Sequence, residues 1–192
     1  TPVVGMVGLL EDVRRATTQW FKAAGDVIFL LGESREELGG SEYLKVIHGL
    51  ETGRPPRLDL ARERAVQAVT LEAIAAGIVR SAHDCADGGL AVALAEGCVS
   101  GPVALGAAAE LPGVFRADAV LFGETASRIV VSVAPADAAR LQALAAAQQV
   151  PCARLGTVGG EQLALRAAGR SCSLPVARLH HTWSTGLSRL LG

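Results

Sequence analysis

Lysine and aromatic side chains are what this chain has least of. Only Lys22 and Lys45 are lysine, and Phe, Trp and Tyr make up 4% of the 192 residues. The other basic residues are arginine, which with the abundant alanine reads as coding bias and not as function. Charge of one sign is also missing. Lys and Arg number 18 against 19 Asp and Glu, a net charge of −1 with no block of like charge. Nucleic-acid binders carry a basic patch or stripe, so that partner class is excluded. No apolar run approaches the roughly 20 residues of a membrane span. The opening Thr1-Pro2-Val3-Val4-Gly5 has no basic region of a signal peptide. With no initiator Met, it reads like the first strand of something taken from a longer chain.

Metal-ligand spacing is absent as well. Cys85, Cys98, Cys152 and Cys172 form no Cys-x-x-Cys, and the one close His pair, His180-His181, lies far from His83. A zinc site is therefore not expected, and unpatterned cysteines fit a reducing cytoplasm. There is no Gly-x-Gly-x-x-Gly fingerprint and no Walker A loop. Ser34 and Ser41 lack the nucleophile-elbow pattern, so no Ser-His-Asp set is credible. What is present is bulk hydrophobicity, 50% of residues, enough for one domain with a sizeable core.

Apolar patterning predicts strands at Val3–Leu10, Val27–Gly32, Ile129–Val133, Cys152–Val158 and Gln162–Arg166. The last two flank Gly159-Gly160 and read as a hairpin. Helices are predicted from Ser41, a plausible cap, to His48-Gly49, and over Leu58–Ile78, Leu90–Glu96, Pro135–Gln149 and Leu174–Leu191. Gly101–Pro112 reads as a strand and a loop. Helices interleaved with closely spaced strand pairs indicate an α/β (α+β) fold, a mixed β-sheet covered by helices. Trp20, Tyr43 and Trp183 read as core or interface residues, and His48 as a helix end.

Two polar constellations stand out. His83-Asp84-Cys85-Ala86-Asp87-Gly88-Gly89 puts one imidazole, two carboxylates and two glycines into seven residues between a strand and a helix. A Gly pair there lets the backbone approach a ligand closely and frees N–H groups at the helix start. Asp84 and Asp87 could cap that helix or face a cation; the plainer alternative is a capped turn without a ligand. The second constellation, Glu124, Ser127 and Arg128, sits at a strand start. Its guanidinium fork suits phosphate or carboxylate. The alternative there is an internal Glu124–Arg128 ion pair closing the sheet edge.

Four segments carry a resemblance: Thr1–Asp12, Leu38-Gly39-Gly40-Ser41-Glu42-Tyr43-Leu44, Ala82-His83-Asp84-x-x-Asp87-Gly88-Gly89-Leu90-Ala91, and Leu121-Phe122-Gly123-Glu124-x-x-Ser127-Arg128. In this order they resemble the C-terminal part of phosphoribosylformylglycinamidine synthase, over nearly the whole chain. That family belongs to the aminoimidazole ribonucleotide synthetase superfamily. The resemblance implies that residues 1–192 are a single C-terminal domain, from the second of two tandem halves, in a longer chain. It implies ATP and Mg²⁺ in the full-length enzyme, none firmly held by this chain alone. It implies missing N-terminal domains and a glutaminase that delivers ammonia to formylglycinamide ribonucleotide. The family's catalytic histidine and most of its ATP and Mg²⁺ ligands belong to those upstream domains. His83 is therefore not assigned as catalytic, and no metal ligand is assigned. The ligand-binding candidates are His83, Asp84, Asp87, Gly88, Gly89, Glu124, Ser127 and Arg128, lining the crevice that faces the missing domain. Cys85, Ala86 and Ala126 depart from the family pattern, since the last two replace more polar residues, which fits a weakened site. A non-catalytic scaffold is the rival reading. Another is the matching domain of selenophosphate synthetase, thiamine monophosphate kinase or aminoimidazole ribonucleotide synthetase.

Overall fold

Val27–Leu31 is apolar at every position, and a strand of that kind is stable only where both faces are covered. In the computed structural model, which describes residues 5–191 and side chains through Ser188, this strand (β1) is buried along its whole length. It pairs antiparallel with β4 (Ile129–Val133) on one side and β5 (Cys152–Val158) on the other. The remaining strands are β2 (Val79–Asp84), β3 (Ala107–Leu111), β6 (Gln162–Ala167) and β7 (Arg170–Pro175). The order across the seven-stranded sheet is β2-β4-β1-β5-β3-β6-β7. Only β3 and β6 run parallel among the described pairs, so the sheet is mixed, as the sequence pattern predicts.

Each face has its own core. Leu90, Leu94 and Cys98 of α3 (Gly89–Val99), Val120 of α4 (Ala117–Phe122) and Val176 of α6 (Val176–Leu191) pack with Ile28, Leu30 and Leu165. On the other face Val66, Val69 and Ala73 of α2 (Leu60–Ala75) and Leu141 and Ala145 of α5 (Ala138–Ala147) pack on Val27, Phe29, Val131 and Val133. Fully burying one such Leu or Val contributes about 1.5–3 kcal/mol. The short α1 (Glu42–His48) buries none of its residues and stands outside both cores. It begins at Ser41, whose hydroxyl accepts from the Leu44 N–H, and ends at Gly49 in the left-handed region, both as predicted.

Several expectations are corrected. Residues 5–10 form no strand and are exposed, pairing with neither edge strand of the sheet, β2 or β7; Thr1–Val4 lie outside the described residues. β5 and β6 are not a hairpin, since β3 lies between them. The Gly159-Gly160 turn instead closes on Gly106 at the head of β3, with Gly159 N donating to Gly106 O and Gly106 N to Gly160 O (2.7 and 2.9 Å). The hairpin is β6–β7, turned at Ala168 and Gly169, both at positive φ, the geometry of a tight two-residue turn. The final helix therefore starts at Val176, after a strand the sequence reading missed. α4 was also missed. Pro135–Asp137 is a 3-10 turn, and α5 follows it. Among the described residues, no helix is long and apolar enough to cross a membrane.

Candidate functional site

β1, β2 and β4 place Leu31, Asp84 and Ile129 side by side at one end of the sheet. The loops that leave or enter there carry both polar constellations. His83 and Asp84 are the last residues of β2 and not part of a turn. The chain then folds through Cys85–Gly88 into α3. Cys85 N donates to Arg128 O at 3.0 Å, so the two constellations share one wall.

Glu124 makes the junction. Its Oε1 accepts from Gly88 N at 2.8 Å and from Glu42 N at 2.9 Å. One carboxylate oxygen thus holds the residues that open α3 and α1. Neither Asp84 nor Asp87 caps α3: its N-cap is Gly88, with no side-chain cap bond, and both aspartates are exposed. The correction has a geometric cause. Gly88 and Gly89 both take positive φ, which turns the helix start toward the 123–124 loop, where Glu124 lies. A Cβ on Gly89 would collide with Gly123 O, so the glycine is required by close approach as well as by φ.

Arg128 is 3% exposed and fully engaged. Its Nε donates to Thr125 O (2.9 Å), one terminal nitrogen to Ser34 Oγ (2.9 Å) and the other to Gly123 O (2.6 Å). Among the described residues it forms no ion pair with Glu124, so the internal ion-pair alternative is not what the chain adopts. Burial lowers its pKa, opposed by attraction to Cys85, Glu37 and Glu124. The guanidinium keeps its charge regardless, given how far its ordinary value lies above neutrality. Burial also pushes the Cys85 thiol up to about 11.

Ser127 faces the other way. It is held at φ 62, and its hydroxyl donates to Glu63 Oε2 of α2 at 2.6 Å. A non-glycine residue in that region is uncommon. His83 also stands apart: its Nε2 is 2.8 Å from Glu96 Oε2 and its Nδ1 3.3 Å from Asp84 Oδ1. Glu96 lies eight residues past Gly88, about 12 Å along α3. The imidazole lines a cleft of about 430 Å³ with Thr18, Trp20, Ser100 and Trp183.

The structure therefore joins Gly88, Gly89, Glu124 and Arg128 closely and leaves His83, Asp84, Asp87 and Ser127 at the margins. Sequence reasoning missed Ser34, Glu63 and Thr125 as members. Thr125 is buried and exchanges hydrogen bonds with the Arg35 backbone. A polar run directly after an apolar strand, Gly32-Glu33-Ser34, was the available signal for Ser34.

These residues do not fit a magnesium–nucleotide site of their own. No group of three or more His, Cys, Asp or Glu among the described residues could hold a metal ion. The one buried guanidinium gives a hydrogen bond from each of its three nitrogens to the protein itself, at Thr125, Ser34 and Gly123.

A model of the AIR synthase related protein, C-terminal domain, matches residues 23–167. The chain belongs to this family. All eight candidate residues of this AIR synthase related domain lie inside the match. The phosphoribosylformylglycinamidine synthase subunit PurL of Anaeromyxobacter dehalogenans (strain 2CP-C) is 50% identical over 199 residues, covering all of this chain and 26% of that protein. The subunit of the same name from Moorella thermoacetica is 46% identical over 192 residues, again covering all of this chain and 26% of that protein. The chain thus spans about a quarter of these relatives' length. Among solved structures, T. maritima PurL complexed with FGAR superposes with a TM-score of 0.77 at 19% identity, over 88% of this chain and 30% of that one. E. coli HypE, a hydrogenase maturation protein, gives 0.59 at 15% identity, over 84% and 52%. At such identities the likeness is one of fold alone, and it agrees with the AIR synthase related architecture of helices on a mixed sheet.

Proposed function

We propose that this chain is the C-terminal domain of the second half of a phosphoribosylformylglycinamidine synthase large subunit. In that role residues 1–192 are one domain of a longer polypeptide and supply one wall of a crevice. Upstream domains supply the opposite wall, the catalytic histidine and the ligands for ATP and Mg²⁺. The whole enzyme acts as an ATP-dependent carbon–nitrogen ligase of purine biosynthesis in the cytoplasm. The amide oxygen of formylglycinamide ribonucleotide is phosphorylated by ATP, and ammonia from a glutaminase partner then displaces phosphate. This chain's share is positioning. Its backbone at Gly88-Gly89 approaches the crevice closely, and Arg128 fixes the loop that faces it.

The observation that carries the reading is the junction at Glu124, which brings the family's two glycine-bearing motifs to within one hydrogen bond of each other at a sheet end. Whole-chain identity to PurL subunits supports the same assignment. Because the catalytic histidine and the ATP and Mg²⁺ ligands belong to the upstream domains in this reading, the isolated chain is expected to have no turnover.

The test compares the isolated chain with a polypeptide that joins it to the upstream domains of a PurL relative. ADP release dependent on both formylglycinamide ribonucleotide and ammonia is expected only from the joined form. Turnover by the 192-residue chain alone would overturn the proposal. So would a joined enzyme whose rate is unchanged when this chain is deleted.

A further inference from the structure

We infer that Glu124 is a positioning residue, acting through the reach of one oxygen and not through its charge. The inference rests on the crevice reading above and narrows it. Both bonds, from Gly88 N and from Glu42 N, end on the same atom, Oε1, at 2.8 and 2.9 Å. Those two residues are the N-cap of α3 and the first residue of α1. They come from segments 46 residues apart in the chain, and the carboxylate comes from a third. Glu124's own N–H donates to Glu37 O at 3.2 Å, which ties its backbone to the loop leading into α1. The carboxylate's approach is set further by Gly123 and Gly89, where a Cβ would strike backbone atoms.

A ligand or cation contact would depend on the negative charge and would use the second oxygen, Oε2, which takes neither of these bonds. A clamp needs only an acceptor oxygen at this distance. The amide of glutamine offers one at the same length, whereas aspartate keeps the charge but is one methylene too short to reach two separated N–H groups. Charge and reach are therefore separable by substitution.

The experiment uses three variants, Glu124→Gln, Glu124→Asp and Glu124→Ala. Amide exchange at Gly88 and Glu42 is read in the 192-residue chain, and kcat and KM in the joined enzyme. The clamp predicts that Glu124→Gln stays within about threefold of wild type in exchange and in kcat. It predicts that Glu124→Asp and Glu124→Ala speed exchange at both amides by about tenfold, the loss of one hydrogen bond each, and lower kcat together. The reverse ranking, Asp close to wild type and Gln close to Ala, overturns the inference and makes Glu124 a charge contact. Exchange unchanged in Glu124→Ala overturns it as well. Because exchange is read without turnover, an inactive joined enzyme would count against the proposed activity and leave the clamp to be judged by exchange alone.

Discussion

Replacing Arg128 by methionine should loosen the whole end of the sheet. The side chain is 3% exposed, and its three bonds reach Ser34, Gly123 and Thr125, in loops that follow β1 and precede β4. Methionine fills a similar volume without a donor. The carbonyls of Gly123 and Thr125 then stay buried without their partner, at about 1–3 kcal/mol each. Removing a buried charge returns part of that cost, because the guanidinium no longer has to be stripped of water. The balance is a loss of about 3 kcal/mol, from two orphaned carbonyls less the desolvation relieved. For a chain of this size that lowers Tm by about 6–12 °C. Urea and thermal unfolding followed by circular dichroism would measure it. Arg128→Lys should recover less than half of the loss, since one ammonium cannot span three acceptors laid out for a planar fork. A stability for Arg128→Met within about 0.5 kcal/mol of wild type, below the net worth of one ordinary hydrogen bond, would refute the bracing role. So would a lysine variant equal to wild type.

Gly89→Ala should destabilise by about 2 kcal/mol or more, since it combines positive φ with a collision against Gly123 O. Gly160→Ala, at positive φ but facing open space, should cost about 1 kcal/mol; equal losses in parallel melts would remove the close-approach argument. Burial raises Cys98 to about 12 and Cys85 and Cys152 to about 11, so at pH 8 only about one thiol in a thousand or fewer is the reactive thiolate. Mass spectrometry after brief treatment with an alkylating reagent should find exposed Cys172 modified first and buried Cys85 and Cys98 unmodified until the chain is unfolded. Ser41→Ala removes the α1 cap and should cost about 1 kcal/mol. Its effect should appear as faster exchange in α1 and, because Ser41 itself is buried and also donates to Leu38 O, as a Tm lower by about 2–4 °C; exchange and Tm both unchanged would contradict the capping role.

Local features were legible in the sequence because their causes are local. The apolar run at β1, the Ser41 and Gly49 ends of α1, and the strand–glycine–helix passage at Cys85–Leu90 each depend on neighbouring residues. The order of the sheet was not legible. Whether β3 inserts between β5 and β6 depends on contacts some 50 residues apart, to which turn chemistry at Gly159-Gly160 is blind. β7 escaped notice because all six of its residues are exposed, leaving no alternation to detect. In the site, glycines and carboxylates could be singled out by spacing, but their partners could not. Arg128 reaches Ser34 across 94 positions and Ser127 reaches Glu63 across 64. The apolar segment at 5–10 misled for the opposite reason: its pattern is that of a strand, and pattern alone does not supply a neighbour.

The wedged position of β3 bears on how this chain acquires its shape. The strand must slot between two later-made strands that are almost contiguous in sequence, and its parallel alignment with β6 cannot be reached by simple reversal of the chain. Pairing each strand with its neighbour in sequence would therefore not give this sheet. β6 and β7 form a local hairpin, but that hairpin joins the rest of the sheet only through residues 107–111. Pairings this distant in sequence slow folding. A nascent chain released before Gln162 would leave one side of β3 bare, an open edge of the kind that invites pairing between molecules.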